Sequence, residues 1–168
     1  PFFTIDLVDG LTITESPSNG TLSTPVLSAG SNGMLATWTA DYTPGSDFSG
    51  TDEVSFTVTN SYGTSDVATI SITVNAVNDL PVLAGIDDVV FEEDGSGLVE
   101  LVYSDIDEDD YLYVSANSTS DEVSASLNGS TLTIDPYDDY NGSSSITVTV
   151  SDGEASVSQT FIVTVNPI

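Results

Sequence analysis

The feature that most constrains the fold of this chain is an internal repeat. Pro44 and Pro136 lie 92 residues apart, and so do Gly50 and Gly142. After each glycine comes a strand-like run, then a turn, then a second strand-like run. A shared order of runs, turns and punctuating residues at a fixed offset is typical of tandem repeats. The chain is therefore expected to fold as two similar units.

The strand-like runs alternate Thr or Ser with Val, Ile or Phe, as in VSFTVT at 54–59 and ITVTVS at 146–151. Alternation with a period of two predicts half-buried β-strands, whereas a helix would show a period of 3.6 residues. Many short strands separated by Gly, Asn, Asp and Pro turns are typical of Greek-key, immunoglobulin-like β-sandwiches. We predict an all-β chain with repeat 1 at residues 1–77, an acidic linker at 78–81 and repeat 2 at 82–168.

Repeat 1 is shorter than repeat 2 at its start. Residues 82–94 of repeat 2 contain an opening strand and an acidic turn, to which nothing in repeat 1 corresponds. We expect repeat 1 either to be truncated or to be completed by a strand from elsewhere, because an unfilled sandwich edge invites pairing with another chain. Pro1 is followed directly by strand-like sequence, so we also expect the chain to be a processed piece of a larger protein.

The charge of the chain excludes several functions. There are 27 Asp and Glu residues but no Lys, Arg, His or Cys, which gives a formal net charge of −27. Binding to nucleic acids or to anionic membranes needs basic residues, and no apolar run is long enough to span a bilayer. Catalysis through His or Cys is excluded, and disulfides cannot form. Because this charge destabilises a compact fold, metal ions or a salty medium must neutralise it.

The densest acidic segment is DIDEDD at residues 105–110. Alternate residues of an extended chain point to the same side, so Asp105 and Asp107 are placed to share a cation while Asp109 or Asp110 folds back from the loop. Calcium takes about six to eight oxygen ligands and suits such a loop better than magnesium does. Solvated surface acids, as in halophilic or marine proteins, are the alternative interpretation.

A series of motifs runs through both copies. Repeat 2 and the segment before it contain VNDLP at 77–81, FEEDG at 91–95, SDIDEDDYLYVS at 104–115, IDPYDDYNG at 134–142 and VTVSDG at 148–153. Repeat 1 contains PSNGTLS at 17–23, YTPGSDFSGTDEVSFTV at 42–58 and ITVNAVND at 72–79. Together these motifs resemble the bacterial cadherin-like tandem repeats of large secreted and cell-surface proteins of the adhesin type.

The resemblance implies a calcium site where two repeats meet. In cadherin-like repeats an xNDx linker, a DxD loop of the following repeat and acids of the preceding repeat enclose the metal. The corresponding positions in this sequence are Asn78, Asp79, Asp105, Asp107, Asp52 and Glu53. Asp152 is a weaker candidate. Glu92, Glu93 and Asp94 resemble an acidic kink near the opposite end of repeat 2, where Asp138 and Asp139 would join them.

These observations predict a non-catalytic, calcium-rigidified spacer or adhesion module, placed among neighbouring repeats of a secreted or cell-surface protein. One alternative is a module that binds an extracellular glycan or a partner cell through a strand face or through Tyr137 and Tyr140. A second alternative is a subunit of a homopolymeric fibre in which a neighbour's strand completes repeat 1. Polysaccharide binding would support the first alternative, and concentration-dependent polymerisation the second.

Overall fold

The computed structural model of the chain describes residues 9–28, 37–107 and 111–168. The chain divides into two compact units, unit 1 at Pro1–Val77 and unit 2 at Asn78–Ile168. Every regular element in the described ranges is a β-strand, which confirms the all-β prediction. None of the described residues belongs to a helix long and apolar enough to cross a membrane.

Unit 1 is built around one long strand. Its strands in the described part are β1 (Gly10–Glu15), β2 (Gly20–Leu22), β3 (Val26–Ser28), β4 (Thr37–Thr39), β5 (Tyr42–Pro44), β6 (Gly50–Asn60), β7 (Gly63–Thr64) and β8 (Ala68–Val74). Strand β6 pairs antiparallel with β1 along one edge and with β7 and β8 along the other. β2 pairs with β5, and β3 pairs with β4.

Unit 2 has two main sheets. Its strands in the described part are β9 (Val82–Leu83), β10 (Val89–Glu92), β11 (Gly97–Glu100), β12 (Tyr103–Ser104), β13 (Tyr113–Ser118), β14 (Val123–Asn128), β15 (Thr131–Pro136), β16 (Gly142–Ser151) and β17 (Ser156–Asn166). One sheet has the order β10–β17–β16–β13 and the other β11–β15–β14, while β12 pairs with β9. β10 runs parallel to β17, and the other pairs are antiparallel.

The core of unit 2 joins residues of both sheets. The alternation of β16 buries Ile146, Val148 and Val150 completely and leaves Thr147 and Thr149 on the opposite face. The other members of this core are Leu83, Leu101, Val123, Leu132, Ile134, Phe161, Val163 and Val165. Burial of these apolar side chains from two facing sheets stabilises a β-sandwich, as the alternation predicted.

The glycine that recurs in both copies has a backbone reason. Gly50 and Gly142 are the first residues of the long strands β6 and β16, and their φ angles are +123° and +149°. Residues with a Cβ rarely adopt such angles, so glycine fits the point where each long strand begins.

Equivalent positions of the two units differ in burial. Val54 lies opposite Ile70 in unit 1, as Ile146 lies opposite Phe161 in unit 2. Ile70 therefore corresponds to Phe161, yet Ile70 is 52% exposed and Phe161 only 2%. Among the described residues of unit 1, Val54 is the one hydrophobic side chain that is buried, at 3% exposed.

The opening strands of unit 2 account for this difference. β10 lies beside β17, and β11 lies beside β15, so both cover the core of unit 2. In the described part of unit 1, β8 pairs only with β6 and β5 only with β2, and both outer positions are unfilled. Within the described residues, unit 1 thus has no counterpart of β10 or β11.

Candidate metal centre

The loop after β12 brings the predicted DxD pair close to the predicted linker. The Oδ1 atom of Asp105 accepts a hydrogen bond from the Asp107 amide at 3.1 Å. The Oδ2 atom of Asp107 accepts one from the Asp79 amide at 2.8 Å. These bonds connect three of the predicted ligands, and all three belong to unit 2.

Asn78 and Asp152 join the same group. The Nδ2 atom of Asn78 donates to the Oδ2 atom of Asp152 at 3.1 Å and to the Asp79 carbonyl at 2.7 Å. The Oδ1 atom of Asp152 accepts bonds from the amides of Glu154 and Ala155 at 2.7 and 2.6 Å. We call the connected set the Asp105 cluster: Asn78, Asp79, Asp105, Asp107 and Asp152.

The hydrogen bonds to Asp152 hold the pKa of this carboxyl below its ordinary value. The Ala155 amide contributes most, burial acts in the opposite direction, and the Asn78 side chain and the Glu154 amide add to the lowering. Hydrogen bonds to the ionised form favour that form. Asp152 therefore stays an anion at a pH where a free aspartate begins to protonate.

One oxygen of the cluster lacks a donor within the described part of the chain. The Oδ2 atom of Asp105 is buried, and no described residue donates a hydrogen bond to it. Leaving a buried carboxylate oxygen unsatisfied is unfavourable, and a hard cation is one group that satisfies it. The surrounding side chains offer oxygen ligands, which is the donor chemistry that calcium prefers.

The described residues do not form a ready-made metal site. No three acidic side chains among them are grouped closely enough to hold an ion. The backbone amides of Asp79 and Asp107 occupy carboxylate oxygens that a metal would need to share. Asp109 and Asp110, which were predicted to fold back onto the pair, lie outside the described residues.

Asp52 is a buried anchor of unit 1. Its Oδ1 atom accepts bonds from the amides of Ser18 and Glu53 at 2.8 and 2.9 Å. Its Oδ2 atom accepts bonds from the Asn19 amide at 2.8 Å and the Tyr42 hydroxyl at 3.0 Å. With four donors on a side chain that is 4% exposed, Asp52 ties the segment between β1 and β2 to β6. Glu53, the other predicted ligand of repeat 1, is exposed.

The contacts of Asp52 shift two pKa values in opposite directions. Burial alone would raise the pKa of Asp52, but the hydrogen bonds from Ser18, Asn19, Glu53 and Tyr42 outweigh burial and lower it. The pKa of Tyr42 is raised by burial, by its hydrogen bond to Asp52 and by the charge of that carboxylate.

Unit 1 is expected to lose stability in acid through Asp52. Because folding lowers its pKa, the contribution of Asp52 is present above the unfolded pKa of about 3.9 and is lost as pH falls through the folded pKa. Trp38, the only Trp of the chain, lies in unit 1, so its fluorescence measures the melting temperature of that unit. Asp52→Asn should lower this temperature at neutral pH and flatten its decline below about pH 4.

Glu53→Gln is the matched control for that variant, because Glu53 adjoins Asp52 but is exposed. The control should reproduce the acid profile of the unaltered chain. An Asp52→Asn chain with the same profile would contradict the role of Asp52 as an ionised anchor.

The second acidic segment forms structural contacts at the far end of β10. Glu93 accepts hydrogen bonds from the amide of the last residue at 3.1 Å and from the Asn141 side chain at 3.4 Å. Glu92 ends β10 with an exposed side chain. The predicted partners Asp138 and Asp139 are also exposed. The contacts shown here therefore fasten Glu93 to the end of the chain and to the turn before β16.

Sequence reasoning missed Asp88 and Glu100 as structural acceptors. The Oδ1 atom of Asp88 accepts from the Ile162 amide at 2.7 Å, which ties the start of β10 to β17. Glu100 accepts from the hydroxyls of Thr131 and Ser130 at 2.6 and 3.3 Å. Because the chain has no basic side chain, its carboxylates accept hydrogen bonds from backbone amides, hydroxyls and Asn side chains. Asp88 directly precedes β10 and Glu100 ends β11, so the sequence signal for these contacts was an acidic residue beside the end of a strand.

Several solved structures of low sequence identity resemble the chain. An endo-fucoidan hydrolase of glycoside hydrolase family 107 is 23% identical, with a TM-score of 0.41 over 94% of this chain and 24% of that one. Domains 4 and 5 of the S-layer protein SbsC are 18% identical, with a TM-score of 0.43 over 76% of this chain and 62% of that one. The titin domains Z1Z2 in complex with telethonin are 12% identical, with a TM-score of 0.48 over 99% and 100%. The chain spans about a quarter of the length of the fucoidan hydrolase.

Sequence comparison assigns the family. No curated protein matches the chain. A family model described as bacterial Ig domain matches it twice, at residues 3–73 and 78–166. The first match falls in unit 1 and the second in unit 2. The chain therefore belongs to the bacterial Ig domain family and carries two tandem copies of the domain.

Proposed function

We propose that the chain is a non-catalytic spacer of an extracellular bacterial protein and that calcium bound at the Asp105 cluster orders the start of unit 2. The observation that carries this proposal is the Oδ2 atom of Asp105, which is buried and has no hydrogen-bond partner among the described residues, in a loop that hydrogen bonds connect to Asp79. Immunoglobulin-like sandwiches are common in cell-surface proteins, which supports a location outside the cell. The resemblance of the linker and the acidic loop to cadherin-like repeats supports the same location.

Composition supports a structural role. The chain has no His, Cys or Lys, so it lacks the imidazole most often used as a general base at neutral pH, as well as thiol and amine nucleophiles. The best-satisfied carboxylates, Asp52 and Asp152, accept hydrogen bonds from backbone amides and thereby hold loops in place. Such contacts fix the fold of each unit.

The residues that would hold calcium come from three parts of unit 2: residues 78–79, the loop after β12 and the turn between β16 and β17. Asp79, Asp105 and Asp107 would supply carboxylate oxygens, and Asn78 and Asp152 lie next to them. Bound calcium supplies two positive charges to a chain that has no basic residue. Residues 78 and 79 directly follow unit 1 in sequence, so holding them to the loop of unit 2 restricts the backbone that connects the units. In a spacer, that restriction limits bending between neighbouring repeats.

Calorimetric titration of the full chain with calcium tests the proposal. We expect saturable binding, with magnesium at equal ionic strength giving a much weaker response because magnesium demands a smaller octahedral shell. Asp105→Asn should weaken calcium binding, while Asp121→Asn, a change at an exposed acid of the same unit, should leave it unaltered. Equal heats from both cations would show general screening of charge and would contradict the proposal.

An exposed aromatic pair favours a second candidate function, the binding of a neutral glycan. The rings of Tyr111 and Tyr113 lie edge to face with centroids 4.9 Å apart and are 73% and 62% exposed. Tyr113 lies opposite Ser151 on the hydroxyl-rich outer face of the sheet. Exposed rings bind the apolar faces of sugars, and hydroxyls bind their polar edges. The net charge of −27 disfavours an anionic polysaccharide.

Tyr113→Ala is expected to weaken binding of a neutral oligosaccharide about tenfold, which equals about 1.4 kcal/mol. The reason is the loss of one ring of the exposed pair. Affinity electrophoresis in gels containing neutral or sulfated polysaccharides measures the effect. Tyr62→Ala is the control, because Tyr62 is 89% exposed and lies in unit 1. Equal retardation of both variants and the unaltered chain would exclude the tyrosine pair as a glycan site.

A further inference from the structure

Unit 1 has an open apolar groove of about 600 Å³. Strands from each of its sheets line the groove with hydrophobic side chains, among them Leu11, Ile13, Leu22, Trp38, Phe56 and Ile70. The chain contains 27 carboxylates, yet none of the described residues that line this groove is charged. The lining therefore has the chemistry of a sandwich core, although part of it is exposed.

Unit 2 shows which strands cover the equivalent surface in the second copy of the fold. The groove residues Phe56, Ile70 and Ile72 correspond in register to Val148, Phe161 and Val163, which are all at most 2% exposed. The opening segment of unit 2, residues 82–101, lies against these core residues. Its inward side chains are Leu83, Val89, Phe91, Val99 and Leu101.

The strand edges beside the groove are also unfilled within the described residues. In unit 2, β10 pairs with β17 so that Val89 lies beside Val163, and β11 pairs with β15 so that Gly97 lies opposite Ile134. The corresponding outer edges of β8 and β5 have no strand paired to them in the described part of unit 1. Such edges present backbone amides and carbonyls that a new strand satisfies.

A buried donor in the groove lining points to unfinished packing. The Nε1 atom of Trp38 is buried and has no hydrogen-bond partner among residues 9–28, 37–107 and 111–168. A buried indole N–H normally finds an acceptor. An incoming strand that repacks this side of unit 1 brings backbone carbonyls, which are the acceptors the lining lacks.

We propose that the groove of unit 1 binds an extended β-segment from outside the unit, with the same chemistry as residues 82–101. The segment inserts alternate apolar side chains, one strand running parallel to β8 and a second pairing with β5. Because the lining is uncharged, the inserted face carries no charge, while the opposite face of the segment tolerates acids, as Glu92 and Glu100 do in unit 2. This proposal concerns unit 1 and is independent of calcium binding by unit 2.

A synthetic peptide with the sequence of residues 82–102 tests the proposal on the full chain. Trp38 fluorescence is the signal, because Trp38 lines the groove and is the only Trp. EDTA removes calcium effects, and about 1 M NaCl reduces the Debye length to about 3 Å and so screens the repulsion between acidic molecules. We expect a saturable change in Trp38 emission and a higher melting temperature of unit 1.

Two matched comparisons make the test specific. A control peptide with Val89→Ser, Phe91→Ser and Val99→Ser has the same charge but lacks the apolar face, and it should produce no change. In the chain, Ile70→Glu should weaken binding of the active peptide by about tenfold or more, because it places a carboxylate in an apolar site. Thr73→Glu adds the same charge at an exposed position of β8. The chain with this change should bind the active peptide as tightly as the unaltered chain does.

Three outcomes would overturn the proposal. They are an unchanged Trp38 emission with the active peptide, an equal response to both peptides, and equal affinity of the Ile70→Glu and Thr73→Glu chains. A change of Trp38 emission with protein concentration alone would assign the groove to a second copy of the chain and would likewise overturn the proposal. Circular dichroism of the Ile70→Glu chain checks its fold, which should persist because Ile70 is half exposed.

Discussion

Phe161→Ala is expected to lower the free energy of unfolding of unit 2 by about 3–5 kcal/mol. Phe161 is 2% exposed and packs in a core formed by both sheets, so its removal leaves a cavity as well as a loss of apolar burial. Because small domains are stable by only about 5–15 kcal/mol, this single change should shift the unfolding midpoint in guanidinium strongly. Far-UV circular dichroism of the full chain measures the shift.

The equivalent change in unit 1 is the control for this prediction. Ile70→Ala is expected to cost only about 1 kcal/mol, because half of the side chain is already in contact with water. Trp38 fluorescence follows this unit alone, which separates its transition from that of unit 2. Losses of equal size at Phe161 and Ile70 would contradict the difference in packing between the two units.

The sequence alone was sufficient to predict the repeat and the β-strand character of both copies. Alternation assigns each residue of a strand to one of two faces, and the 92-residue offset aligns Val54 with Ile146. The alternation does not say which neighbouring strand covers each face. Ile70 and Phe161 occupy the same place in the pattern, yet their exposure differs. In unit 2 this face is covered by β10 and β11, and the described part of unit 1 has no equivalent strands.

The candidate site was predictable by two routes. The DxD spacing put Asp105 and Asp107 in one loop, and the resemblance to cadherin-like repeats added Asp79, whose amide does reach Asp107. The environment of Asp52 was not predictable in this way. Its partners Ser18 and Asn19 lie 34 and 33 residues away, so the contact depends on the path of a loop. A buried acid that accepts four hydrogen bonds has no sequence signature that separates it from an exposed one.

Calcium is expected to stabilise unit 2 through the Asp105 cluster. An ion that binds only the folded state adds about 2.7 kcal/mol to the free energy of unfolding when its free concentration is about 100 times its dissociation constant. Asp105→Asn combined with Asp107→Asn should abolish the gain. Asparagine keeps an acceptor for the amides of Asp107 and Asp79 but removes the charge that calcium requires.

A matched variant separates this site from the general effect of charge. Asp121→Asn combined with Glu122→Gln also removes two charges from unit 2, at exposed positions between β13 and β14. This pair should keep the full response to calcium. Unit 1, followed through Trp38, should respond to calcium no more than it does to magnesium at equal ionic strength.

The most direct test is the thermal unfolding of unit 2 in calcium and in magnesium at equal ionic strength, for the unaltered chain and both double variants. The proposed calcium site predicts a rise in melting temperature that is specific to calcium, lost in Asp105→Asn with Asp107→Asn and retained in Asp121→Asn with Glu122→Gln. The same rise in both salts and in all three chains would show that the acids of unit 2 respond only to screening, and would contradict a calcium-ordered spacer.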